Sequence, residues 1–270
     1  MTNGISDGHK HGDSHERSAV DGDKDHFRCD TQEQTVLIAE IKEIHRQRDD
    51  LLRAEGSLTR QIKAIGRRMK TGVNMSTVDL LSDVSALHLQ AAKNVIHPGK
   101  LKTERQLRGY AKDLPVYSWM KSINGFGEIG LCQIIGECGN LSNFSSPAKI
   151  WKYLGLAPIT EYPVGPNGGR LYSRRCRSMM YVIGDSLIKK QGPYRDLYLE
   201  RKVYEVQKAE NEGLTVAPQA KIPAKKKAEY RSEGHIHRLA QRYMEKRLLR
   251  NLWREWNKES KQWLKNSKAP

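Results

Sequence analysis

Between Gln34 and Met69 the apolar residues fall into heptads. Leu37, Ile44, Leu51, Leu58 and Ile65 recur every seven positions, with Ile41, Ile62 and Met69 on a companion seam. No proline interrupts, so the pattern predicts one long coiled-coil helix. Arg48 and Glu55 occupy seam positions where apolar residues would stabilise more. Such residues are either wear in a solvated helix or the groups that fix register and partner. The spacing suits a homodimer and a hairpin against the next helix equally well. That next helix is predicted from Ser76, with Asp79 at capping-box spacing, and Leu80, Leu81, Val84, Leu87, Ala91 and Val95 trace its apolar face. His97-Pro98-Gly99 should end it, and a short basic helix, Lys102 to Lys112, should follow.

The centre of the chain reads as a helix-hairpin-helix. Pro115 to Ser122 supplies a first helix, Ile123-Asn124-Gly125-Phe126-Gly127 the turn, and Glu128 to Glu137 the second helix. The glycines admit positive φ, and the small Gly130 lets the two helices approach closely. Unpaired N–H groups at the start of such a helix suit a phosphate oxygen, although Gly-x-Gly turns also join helices that bind nothing. Gly139-Asn140 closes the second helix. Ser145-Ser146-Pro147 opens another, with Ile150, Trp151 and Leu154 inward and Lys149 and Lys152 outward. Ile159 to Ser173, containing Asn167-Gly168, predicts a small β-hairpin or ordered loop.

Arg174-Arg175-Cys176-Arg177 then starts a helix through Ile188, with Met179, Met180, Ile183 and Leu187 as its core stripe. Three guanidinia at a helix start oppose the dipole, which favours a phosphate grip over a merely solvated end. Tyr194 to Ala209 is a mixed-charge helix, Asn211 to Lys227 a linker. From about Gly234 to Leu264 a last amphipathic helix sets Ile236, Leu239, Tyr243, Leu248, Leu252 and Trp256 opposite Arg238, Arg242, Lys246, Arg250 and Arg254.

Composition narrows the function. In 270 residues only 37% are hydrophobic and 29% are charged, with a net charge of +16. This excess favours a polyanionic partner, and no apolar run suits a membrane span or a signal peptide. Cys29, Cys132, Cys138 and Cys176 lack Cys-x-x-Cys spacing, so the chain is expected to be reduced, cytoplasmic and free of a zinc site. The fold class is mainly α: a disordered tail over 1–30, a coiled coil over 31–70, connecting helices over 71–113, and a helix-hairpin-helix domain over 114–210. A basic linker over 211–233 and a basic amphipathic helix over 234–270 follow. His9, His11, His15 and His26 of the tail lack the close ligand pairs that a metal needs.

Ile123-Asn124-Gly125-Phe126-Gly127, Glu137, Phe144-Ser145 and Leu154-Gly155-Leu156-Ala157-Pro158 together resemble the C-terminal domain of the insertion sequence 110/116/902 transposases. Leu171-Tyr172-Ser173-Arg174-Arg175-Cys176 is similar to the basic segment that follows in that family, and Arg238 to Trp256 to its closing helix. The resemblance covers roughly residues 115 to 256 and implies DNA transposition or recombination, in some members guided by a structured RNA. It also implies a ribonuclease-H-like domain with magnesium-binding acids, where this chain has the tail and coil instead. The family's nucleophilic serine falls at Val164-Gly165, which has no nucleophilic atom; Thr160, Tyr162 and Ser173 are the nearby hydroxyls. The expectation is therefore a DNA-binding, self-associating protein of transposase type without a complete active site and without a cofactor of its own. The alternatives are an active subunit completed by a separate magnesium-bearing chain, and a basic structural protein of the nucleoid. Gly125, Phe126, Gly127, Glu128, Lys149, Lys152, Arg174, Arg175, Arg177, Arg238 and Arg242 are the candidate DNA contacts, and Ser173 is the candidate catalytic hydroxyl.

Overall fold

The two polar seam residues decide how the first helices meet. In the computed structural model, which describes residues 32–71, 77–157 and 173–267 (side chains of 68–82 and 261–267 excepted), α1 (Gln32–Thr71) and α2 (Thr77–Lys112) form an antiparallel hairpin. Arg48 donates to Glu104 at 3.1 Å, while Glu55 accepts from Lys100 at 2.8 Å and lies 3.0 Å from His97. Hydrogen bonds from Lys100, and then from His97, hold the Glu55 carboxyl below its ordinary pKa. These pairs join the middle of α1 to the C-terminal half of α2, so they set the register of the heptad seam within one chain.

Two expectations for α2 are corrected. It runs through Pro98 and Gly99 without a break, and the basic segment Lys102 to Lys112 is its last third. An interior proline costs about 3 kcal/mol by removing one hydrogen bond and crowding a carbonyl. Here the flanking His97 and Lys100 are both held by Glu55, which keeps the axis continuous. The face turned to α1 is also not the one that the apolar residues traced. Ala86, Leu89, Lys93 and Ile96 are half-buried and lead to buried Thr103 and Leu107, whereas Val84, Leu87, Ala91 and Val95 are exposed.

The base of this hairpin packs on the central domain. Helix α3 (Tyr117–Lys121) and helix α4 (Glu128–Cys138) flank the glycine turn, and α4 lies against both α1 and α2. Helix α5 (Pro147–Tyr153) begins after Ser146, with Pro147 in the first turn. Then come α6 (Arg174–Lys189), α7 (Pro193–Asn211) and α8 (Glu233–Ser267). The segment expected as a linker holds a small parallel ladder, β1 (Thr215–Ala217) with β2 (Tyr230–Ser232), joined by short 3-10 turns. The expected tail and the hairpin or loop of 159–172 lie outside the described residues.

Helix α8 crosses α5, α6 and α7 and buries Ile236, Ala240, Met244, Leu248, Leu252 and Trp256. Indole donors fasten it. Trp256 reaches the Asn140 side chain at 2.9 Å, Trp253 the Phe144 carbonyl at 2.9 Å, and Trp151 of α5 the Lys246 carbonyl at 3.1 Å. Asn140 follows α4, so these bonds lock the C-terminal helix to the turn-bearing half of the domain. No helix among the described residues is long and apolar enough to cross a membrane.

Candidate nucleic-acid interface

The glycine turn closes on its own chain. Gly125 takes the positive φ of 89° expected of a hairpin glycine. A Cβ there would stand 2.7 Å from the Ser186 carbonyl oxygen and 3.0 Å from Leu187 Cα. Asn124 donates to the Gln191 carbonyl at 3.0 Å, and Phe126 is buried. Gly127 differs from expectation: its backbone is extended, with φ −107° and ψ 175°, and nothing lies within 4 Å of its missing Cβ. Gly130 accommodates Phe126 and Ile183 of α6 rather than α3. At the start of α4 the Glu128 carboxyl is held below its ordinary pKa by its own backbone N–H, and by Lys121 at 3.4 Å. The helix start thus already faces a carboxylate of the protein, where a phosphate would need the same donors.

The arginines divide into two groups. Arg174 and Arg177 of α6 and Arg238 and Arg242 of α8 line one open cleft of about 480 Å3, together with Leu156, Ser178, Tyr181, Val182, Gln241 and Glu245. Helical spacing puts them there: 174, 177, 178 and 181 share one face of α6, and 238, 241, 242 and 245 one face of α8. Gly184 allows the close approach, since a Cβ there would stand 2.6 Å from Gln241 Nε2. The Gln241 amide donates to the Tyr181 carbonyl at 2.8 Å and fixes the two helices side by side. The Tyr181 ring is half exposed beside these cations.

Glu245 gives the cleft a titrating floor. Burial raises its pKa to about 8, against the smaller opposing effects of Gln241, Arg242 and Arg177. At neutral pH it therefore holds its proton and cancels none of the arginine charge. A raised acid pKa means that the folded state binds the proton more tightly than the unfolded one. Its stabilising contribution is complete below the ordinary value of 4.5 and lost as pH rises through about 8. Glu245→Gln is accordingly expected to flatten the fall of Tm between pH 5 and 9 by a few degrees, measured by calorimetry against the parent.

Arg175 turns the other way. It donates to Asp49 at 2.9 Å and pairs with Glu137, both partners being well shielded. His45 of α1 donates to the same Glu137 carboxylate at 2.9 Å, and Cys176 Sγ lies 3.3 Å from its other oxygen. Burial alone would raise the Glu137 pKa, but His45, Cys176 and the Arg175 charge hold it at about 2. Arg175, expected as a phosphate grip, here pairs with carboxylates of α1 and α4 and so clamps α6 to both. Ligand atoms of His45, Asp49 and Glu137 lie within 4.8 Å of one another, the spacing of a cation site. The Arg175 guanidinium already supplies the positive charge there.

The remaining candidates are placed plainly. Ser173 is the N-cap of α6 and its Oγ accepts from Cys176 N at 3.2 Å, so its lone pairs serve the helix. Lys149 and Lys152 are exposed on α5 and do not line the cleft. Val164, Thr160 and Tyr162 lie outside the described residues. Cys132, Cys138 and Cys176 are free thiols. Ser178, Tyr181, Gln241 and Glu245 escaped the sequence reading, although their i, i+3, i+4, i+7 spacing with the arginines would have revealed them.

Comparison with known proteins bears on the same segment. A family model described as Transposase IS116/IS110/IS902 family matches residues 117–199, which run from α3 into α7 and include Arg174 and Arg177. A Streptomyces clavuligerus protein described as "Insertion element IS116 uncharacterized 44.8 kDa protein" is 25% identical over 87 residues, 31% of this chain and 22% of that protein. The chain thus spans about a fifth of the length of this curated relative. No solved structure matches.

Proposed function

We propose that the chain holds DNA during transposition or recombination, a reading supported by the match of residues 117–199 to the Transposase IS116/IS110/IS902 family model. The supporting observation is the cleft between α6 and α8, where four arginines from two helices converge over a carboxyl that keeps its proton at neutral pH. Guanidinia arranged in this way bind phosphate oxygens and position a backbone without reading bases. A structured RNA offers the same phosphates, so RNA is a competitor for this cleft. Titration of labelled duplex DNA with unlabelled RNA measures the preference. The family domain favours recombination over passive packing of the nucleoid.

The chain is further proposed to bind without cutting. Both carboxylates of its candidate cation cluster among the described residues are already paired with Arg175, and the Ser173 hydroxyl caps a helix. Purified protein with supercoiled plasmid and magnesium is expected to give no nicks and no covalent protein–DNA adduct. An adduct mapped to Thr160, Tyr162 or Ser173 would overturn this and identify the nucleophile. Activity that arises only when a separate ribonuclease-H-like chain is added would show that the site is composite, with the magnesium carried by that partner.

A further inference from the structure

The cleft between α6 and α8 holds more than a phosphate grip requires. Phosphates need only its cations, yet three further side chains are suited to a different contact. Gln241 is 1% exposed, its Nε2 is committed to the Tyr181 carbonyl at 2.8 Å, and its Oε1 has no hydrogen-bond partner among the described residues. A buried acceptor left open in this way calls for a donor from outside the fold. Glu245 beside it is buried and keeps its proton at neutral pH, so the floor sets no negative charge against a nucleotide. The Tyr181 ring lines the same cleft and is 47% exposed.

Size and depth choose among ligands. A cleft of about 480 Å3 falls among the pockets of about 300–1,000 Å3 that enclose one small molecule. A double helix is far too wide to enter it, and Gln241, buried between two helices, cannot reach out into a groove. The donor must therefore come to the protein. A nucleobase carries N–H donors on its pairing edge, and that edge is free only when the base has left its partner. Its flat face suits an exposed tyrosine ring, on which any base can stack. Four arginines are more than one phosphate needs, and they suit the phosphates before and after a single nucleotide of a strand.

We propose that the cleft receives one unpaired base of a DNA strand, stacked on the Tyr181 ring with an N–H donated to Gln241 Oε1. This rests on the reading of the cleft as the DNA-holding surface and names the form of DNA that it holds. The arginines grip the flanking phosphates and read nothing, whereas the floor distinguishes an unpaired nucleotide from a paired one. Unpaired bases arise where strands separate or exchange, so the cleft selects recombining DNA over intact duplex.

Three duplexes of one sequence test this with the full chain, by fluorescence anisotropy: one fully paired, one with a single bulged base, and one with an abasic nucleotide as the bulge. Both bulges interrupt the helix, so the difference between them reports the base. The parent is expected to bind the base-bearing bulge at least about 10-fold more tightly than the abasic one. Tyr181→Ala should bring the two affinities together, and Tyr181→Phe, which keeps the ring, should restore most of the gap. Gln241→Met, of similar volume, should narrow it. That variant also loses the bond to α6, so the exposed Tyr181 position carries the test should Gln241→Met fail to fold. A parent that binds both bulges equally overturns the inference, and so does a Tyr181→Ala variant that keeps the full gap. In either case a steep salt dependence on the paired duplex leaves the arginine reading standing, whereas a flat one removes both. Tighter binding to the same bulge in an RNA duplex would overturn the assignment to DNA.

Discussion

Replacing Arg174, Arg177, Arg238 and Arg242 together by Ala is expected to lower affinity for duplex DNA by about 1000-fold at 0.15 M salt. The estimate follows from counterion release, with a log–log salt slope of roughly −0.9 for each phosphate neutralised. Four lost contacts flatten the slope by roughly 3.6, and at this ionic strength each is worth about 1 kcal/mol. All sequences should weaken alike, because these contacts position and do not specify. Arg175→Ala is the internal control. It should leave the slope unchanged and lower Tm, because removing it strips the guanidinium from the shielded Glu137 carboxylate and leaves only His45 and Cys176 beside it. With Arg175 itself partly exposed, the loss is about 1–3 kcal/mol. If instead Arg175→Ala alone flattened the slope, the division of the arginines into a cleft and a clamp would be wrong.

The second large effect falls on the turn. Gly125→Ala should destabilise by about 3 kcal/mol or more, since the residue must hold φ 89° while its Cβ meets backbone atoms of α6 at 2.7 and 3.0 Å. In a chain of this size that is a Tm loss of roughly 6 to 12 °C. Gly127→Ala should stay within about 0.5 kcal/mol of the parent, because an extended backbone with open space beside it suits any residue. Thermal melts of the two variants side by side decide the matter. Equal losses would mean that both glycines are held by the same constraint, contrary to the geometry.

The two arginine roles show where sequence stops informing. Arg174, Arg175 and Arg177 are chemically alike and adjacent, and composition treats them as one cluster. On a helix, successive residues point about 100° apart, so Arg175 leaves the face that its neighbours share. Only the presence of Asp49 and Glu137 on that other side turns it into a clamp. Asp49 is 126 residues away, and nothing local announces it.

What the sequence determined by itself is mostly local and periodic. The heptads required a long helix, Ser146-Pro147 marked a helix start, and Gly125 held the turn. The motif order from Ile123 to Pro158 resembles that of the family whose model matches residues 117–199. The tertiary structure decided which faces meet. Pro98 reads as a helix end because its local cost is known, yet α1 lies alongside and keeps α2 whole. The residues from Val84 to Val95 read as an inward face because apolar stripes usually are, yet a helix with two apolar faces can turn only one of them to a single partner. The cleft likewise needed α6 and α8 side by side, at a contact set by Gly184 against Gln241 and Glu245. Each of these depends on a neighbour distant in the chain, and residue spacing along one segment carries no record of it.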